Sequence, residues 1–183
     1  ERFLLCRMAQ NDETKEAAAV HESMGREREM RDALVAAVTI LFKTITIPER
    51  PPSATDEEKN RVTALAALAV RCRSAVERDS YRRDIVSVPQ SERPGRMMRS
   101  LMQLLAGLKV LEVGEAAAFA VLARVALDCM PATRRYGFDA LARSATPMGT
   151  SAVVEESGCP ETVVRRGLED LEAHRVVTRQ SSG

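Results

Sequence analysis

The sequence predicts a mainly α-helical protein, with a helical N-terminal region over residues 1–131 and a small C-terminal unit over residues 132–183. Three observations lead to that class. Apolar residues recur at three- and four-residue steps through most of the chain, the spacing that puts them on one face of a helix. Aromatic residues are only 3% of the chain and tryptophan is absent, so the core has to be built from Leu, Val, Ala and Met, as in packed helices. The stretch from Thr150 to Arg179 combines a short polar-apolar segment, a Gly-x-Pro break, an amphipathic run and a β-branched exit.

Residues 1–10, with the apolar run Phe3-Leu4-Leu5, are expected to form a short strand or helix. Asn11 or Asp12 is suited to cap a helix running through Lys15 and Val20. The run EREMRDALVAAVTILFKTI reads as a strongly amphipathic helix with Met30, Leu34, Val38 and Leu41 in one stripe, and with Glu27 and Arg31 paired on its outer side. PERPPSAT, residues 48–55, is a linker, because proline removes backbone donors and blocks continuation of the preceding helix. It separates an N-terminal helical segment, 1–47, from a second helical region, 56–131.

Thr55-Asp56-Glu57-Glu58 is a capping box, and the helix it starts runs to about Arg78, burying Val62, Leu65, Leu68 or Ala69, Cys72 and Val76. Tyr81 to Val88 alternates in polarity and reads as a strand or an extended connection. A further helix begins near Pro94, with Met97 or Met98, Leu101, Leu104 or Leu105, and Leu108 inward. The next, from Glu115 to Cys129, carries Phe119, Leu122, Val125 and Ala126 on one face and ends at Pro131.

In the C-terminal unit, residues 132–145 form a helix that packs Tyr136 or Phe138 and Leu141. Thr150 caps a short helix carrying Val153 and Val154. Gly158 supplies the backbone freedom of a tight turn, and Pro160 suits the first position of the following helix. There Val164, Leu168 and Leu171 lie on one face, with Thr162, Arg165, Arg166 and Glu169 on or beside the other. Val176, Val177 and Thr178 read as a short strand.

Two helices joined by a tight glycine turn, with arginines outside the second, describe a helix-turn-helix. On Gly158, Pro160, Val164, Arg166, Leu168, Leu171, His174, Val176, Val177 and Arg179 the stretch resembles the winged helix-turn-helix of bacterial regulators and of several DNA-dependent ATPases. That resemblance implies binding of double-stranded DNA, with Arg165 and Arg166 toward the major groove and Thr162 and Arg179 on the phosphate backbone. The same arginines also suit a solvated face paired with Glu161, Glu169 or Asp170. His174 is read as a helix-end residue rather than a ligand. The family usually has glycine after that histidine, where this chain has Arg175, so a differently shaped helix exit is expected.

Charge is unevenly spread. Nine basic residues stand against four acidic ones from Arg71 to Lys109, seven against seven over residues 132–183, and nine against twelve over residues 1–60. DNA affinity rests largely on phosphate neutralisation, so the C-terminal unit gains nothing from its net charge. The cluster Arg71, Arg73, Arg78, Arg82, Arg83, Arg93, Arg96 and Arg99 reads either as solvated helix ends and salt bridges or as a backbone track. The order of helix, RSAVERD, extended segment and ERPGRMMRSLMQLLAGL ahead of the C-terminal unit resembles the lid and C-terminal region of AAA+-type ATPases. That resemblance implies Arg96 as a nucleotide-sensing arginine, with Arg93 or Arg99 as substitutes. It also implies an upstream ATPase domain in the same polypeptide, with a replication, phage or mobile-element role.

No phosphate-cradling or dinucleotide glycine motif is present, and no Ser or Cys nucleophile stands beside a base, so neither enzymatic activity nor a cofactor is expected. Four scattered cysteines and two histidines lack metal-site spacing and fit small core residues of a reducing, cytoplasmic protein. No apolar run reaches the ~18 residues of a membrane span. The chain starts at Glu1 without a Met and stops soon after the expected wing strand, and a fragment of a longer polypeptide is expected. Two other functions fit the same residues. One is an interaction or dimerisation module, using Glu155, Glu156, Glu169 and Asp170 as a protein-facing surface, or Met97, Met98 and Met102 as a homo-oligomer stripe. The other is a ligand-responsive transcription regulator with the N-terminal region as sensor.

Overall fold

The computed structural model describes residues 13–180. The expectations for residues 1–10 and for the Asn11 or Asp12 cap fall outside that range. The described chain is mainly helical: α1 (Glu13–Ser23), α2 (Glu27–Thr44), α3 (Asp56–Arg73), α4 (Gly95–Val110), α5 (Glu115–Asp128), α6 (Ala132–Arg143), α7 (Thr150–Ser157) and α8 (Glu161–Ala173). Between α3 and α4 an antiparallel hairpin pairs β1 (Glu77–Arg78) with β2 (Ile85–Ser87).

Three helices make the first core. Val62, Ala66 and Val70 of α3 meet Met97, Leu101 and Leu105 of α4 and Ala118, Leu122 and Ala126 of α5. Each such large side chain contributes on the order of 1.5–3 kcal/mol by leaving water. Two members of the expected methionine stripe join this packing, Met97 buried and Met102 partly so, while Met98 stays exposed. The capping box forms as read, with Glu58 N–H donating to Thr55 Oγ1 at 3.2 Å and Thr55 N–H donating to Glu58 Oε2 at 2.7 Å. Lys109 of α4 donates to the same carboxylate at 2.6 Å. That ammonium, with the Thr55 N–H second, holds the Glu58 carboxyl below its usual range. A depressed carboxylate adds stability above its unfolded pKa, and the contribution is lost as pH falls through the folded value.

A second core joins this body to the C-terminal helices. Cys72, Met130 and Leu171 are buried there, with Leu68, Leu127, Phe138, Val176 and Val177 packed around them. A third, of Ala140, Val153 and Val164 with Leu141, Met148 and Leu168, holds α6, α7 and α8 together.

Several elements differ from the sequence reading. The third helix ends at Arg73 instead of Arg78, and the remaining residues open into β1. Thr150 is the first helical residue of α7 behind Gly149, and Pro160 is the N-cap of α8. Beside α2 the ion pair is Arg26–Glu29 at 3.2 Å rather than Glu27–Arg31. Val176, Val177 and Thr178 are not a strand; the two valines gain more by joining the second core than by forming an unpaired edge. The largest departure is α2, which buries none of its residues. Helical periodicity puts Met30, Leu34, Val38 and Leu41 on one face but does not supply something to pack against it.

The exit of α8 shows what Arg175 does in place of glycine. It adopts φ 57°, while Arg175 N–H donates to Glu172 O at 2.8 Å and Val176 N–H to Leu171 O at 2.9 Å. This is the left-handed cap with two reversed bonds that glycine normally makes, and an L side chain raises its energy by about 1–2 kcal/mol. Arg175→Gly is therefore expected to stabilise the fold by about 0.5–1 kcal/mol after the extra chain entropy of glycine is subtracted. The corresponding rise in thermal midpoint is roughly 1–4 °C. A melt that does not move, or moves down, would contradict this account of the cap.

Candidate nucleic-acid interface

The α7–α8 turn is shaped by Gly158, whose φ of 64° lies in the left-handed region that glycine occupies freely. Beyond it, α8 fixes its roll by a close crossing with α6. A methyl group added at Gly167 would lie 2.3 Å from the Thr133 carbonyl oxygen, so only glycine permits that approach. With Val164, Gly167 and Leu171 buried, the residues at the complementary angles point outward.

Those are the residues singled out in the sequence. Thr162, Arg165 and Arg166 are all exposed. Arg165 Nε lies 3.9 Å from Glu169 Oε1, a loose pair with the arginine side chain 59% exposed. The Arg166 guanidinium makes no hydrogen bond or ion pair among the described residues. Arg179, beyond the helix, is exposed and donates to Glu172 Oε2 at 2.9 Å. Thus three of the four residues share one exposed side of α8, and Arg179 follows its C-terminal end. Arg96 sits in the first turn of α4, whose packing partners are α3 and α5. It belongs to the helical body, separate from the α8 group.

What the sequence reading missed lies beneath this face. Asp170, one residue from the Leu171 stripe, receives two arginines from different parts of the chain. Arg134 of α6, buried, donates from Nε to Asp170 Oδ2 at 3.0 Å. Its Nη1 donates to the Cys72 and Ser74 carbonyls at 2.8 and 2.6 Å, so one guanidinium also satisfies the open C-terminal end of α3. Arg78 of β1 donates from Nη2 to Asp170 Oδ1 at 2.6 Å and from Nη1 to Glu169 Oε2 at 3.0 Å. Two further bonds run from Arg78 to carbonyls, Nη1 to Arg83 O at 2.7 Å and Nη2 to Arg166 O at 3.2 Å.

His174, the C-cap of α8, is also a joint residue. It is buried, with Nε2 at 3.0 Å from the Ala75 carbonyl and Nδ1 at 3.3 Å from Ser91 Oγ. The carbonyl only accepts, so Nε2 carries a proton. The signal available in the sequence was weak: Asp170 and Arg134 are charged residues at helical spacing from small or apolar inward positions, but their partners are 36 to 92 residues away.

This arrangement changes the electrostatic reading. Glu169 and Asp170, expected on a solvated or protein-facing surface, are turned into arginine contacts. The acids directly behind Arg165 and Arg166 are thus engaged from within the fold. Burial pushes the Cys72 thiol up to about 11, which makes it an unreactive core group. Among the described residues no group of three or more His, Cys, Asp or Glu could hold a metal ion, and no helix is long and apolar enough to cross a membrane.

Removing Asp170 leaves Arg134 buried without its carboxylate. Asp170→Ala is expected to cost about 3–5 kcal/mol of unfolding free energy, measured by urea denaturation. A loss under about 1 kcal/mol, typical of a surface pair, would refute the clamp. No protein-family model matches this chain, and the comparisons found no match to it among curated proteins or solved structures.

Proposed function

We propose that this chain is a non-catalytic DNA-binding portion of a larger protein, binding double-stranded DNA through α7 and α8 as a winged helix-turn-helix does. In this reading Arg165 and Arg166 enter the major groove, while Thr162 and Arg179 hold the backbone. One observation carries it: the three α8 residues stand together on the side opposite the buried stripe, and the neighbouring Glu169 and Asp170 are occupied by Arg78 and Arg134. The parent protein is read as a cytoplasmic AAA+-type ATPase of replication, phage or mobile-element type, with Arg96 on the lid-like body facing a nucleotide held by the upstream domain.

Arg165→Ala with Arg166→Ala is expected to weaken duplex binding by several-fold or more at fixed salt, leaving the thermal midpoint unchanged. Undiminished binding by the double variant would remove α8 as the DNA face. The full chain is the proper reagent, since Arg78 and Ser91, which hold α8 and His174, lie outside residues 132–183.

A second reading, an interaction module, is favoured by α2. Met30, Leu34, Leu41 and Phe42 are 51%, 64%, 52% and 62% exposed, and contiguous apolar surface of this kind marks a binding face. The surface suits either the upstream ATPase domain or a second copy of the chain. Sedimentation velocity separates these: self-association abolished by Leu34→Asp with Leu41→Asp supports the homo-oligomer, and a monomer at all concentrations eliminates it. The sensor reading finds less support: the groove at the joint, about 570 Å³ and lined by Arg73, Ser74, Pro89, Glu92, Cys129 and Pro131, is open to solvent.

A further inference from the structure

The side chain of Arg78 bridges the β1–β2 hairpin to α8. Arg78 spans the gap, bonding Arg83 O at the hairpin turn and Arg166 O on the helix while its remaining donors engage Glu169 and Asp170. The turn beyond Arg78 reads Asp79-Ser80-Tyr81-Arg82-Arg83-Asp84. Tyr81 is 92% exposed, and Arg82 and Arg83 are exposed as well, with no hydrogen bond or ion pair on either guanidinium among the described residues. Asp79 is committed to the turn, its Oδ1 accepting from Tyr81 N–H at 2.9 Å and Arg82 N–H at 2.6 Å. The same Asp79 carboxylate also feels the Arg83 charge, and Asp84, exposed, follows Arg83 directly in the chain. One guanidinium, that of Arg78, thus bridges the Arg83 and Arg166 carbonyls, which sets the turn carrying Arg82 and Arg83 beside the stretch of α8 carrying Arg165 and Arg166.

We propose that this hairpin is a second nucleic-acid contact, with Arg82 and Arg83 gripping the phosphate backbone beside the groove that α8 enters and Tyr81 packing on the adjoining sugar. The inference rests on the α8 reading, because the hairpin is useful to a duplex only if the helix beside it also meets one. Its contacts are to phosphate, so they add affinity without reading sequence. It assigns a binding role to two members of the arginine cluster and withholds it from Arg78, which is consumed as the brace. Arg73 is likewise engaged, with Glu92.

The test uses the full chain and two fluorescent 20-base-pair duplexes of unrelated sequence, with affinity measured against salt. Arg82→Ala with Arg83→Gly removes both cations; glycine is chosen because Arg83 has φ 64°, so the turn and the Arg83 carbonyl are retained. Two lost phosphate contacts are expected to reduce the slope of log affinity against log salt by about two, equally for both duplexes. Arg82→Lys with Arg83→Lys should restore most of that slope, which a purely structural role of the turn would not require. If the parent chain binds and the Ala/Gly variant binds with the same affinity and slope, the hairpin contact is overturned while the α8 reading stands. If the parent chain binds neither duplex at low salt, both fail together.

Discussion

The carboxylate of Asp170 is the point at which this molecule is tied together. It sits on the flank of α8, takes one arginine from α6 and another from the β1–β2 hairpin, and adjoins Leu171 of the second core. A charge in that position is tolerable only because both of its oxygens are engaged by cations with several donors each. Arg134 extends the tie to the end of α3, where helical carbonyls would otherwise lack donors. The joint is thus specified by polar geometry laid over a small apolar contact of Cys72, Met130 and Leu171.

This construction has a consequence for charge. Summed along the sequence, residues 132–183 carry equal numbers of acids and bases, which argues against a polyanion partner. Folding redistributes that balance: Arg78 from outside the unit and Arg134 from within occupy Asp170, and Arg78 shares Glu169 with Arg165. What faces solvent on that side of α8 is governed by which charges are braced internally. Net charge per segment is therefore a poor guide to local potential when ion pairs cross segment boundaries.

The two ends of the described chain contrast in how they treat apolar residues. Near the C-terminus Val176 and Val177, predicted as a strand, fold back into the joint core. Near the N-terminus α2 carries a longer apolar stripe and keeps it in solvent. Backbone preference alone does not produce this difference. The valines follow directly after the left-handed Arg175 turn, within reach of Leu171, whereas the proline-containing segment 45–55 carries the chain between α2 and the helical body.

Legible in the chain alone were the helical class, the capping box at Thr55, the inward Val62 and Cys72 of α3, the interior of α4 and α5, the glycine turn at Gly158 and the roll of α8 that leaves Thr162, Arg165 and Arg166 outside. All of these depend on interactions within a few residues or on a period of 3.6, which a linear pattern records directly. Only the tertiary structure decided that α3 stops at Arg73, that Gly167 admits the α6 backbone, that Asp170 and His174 are joint residues, and that a hairpin made of residues 77–87 stands against α8. Each of those depends on a partner distant in sequence, whose position is set by packing of the whole chain and leaves no local signature.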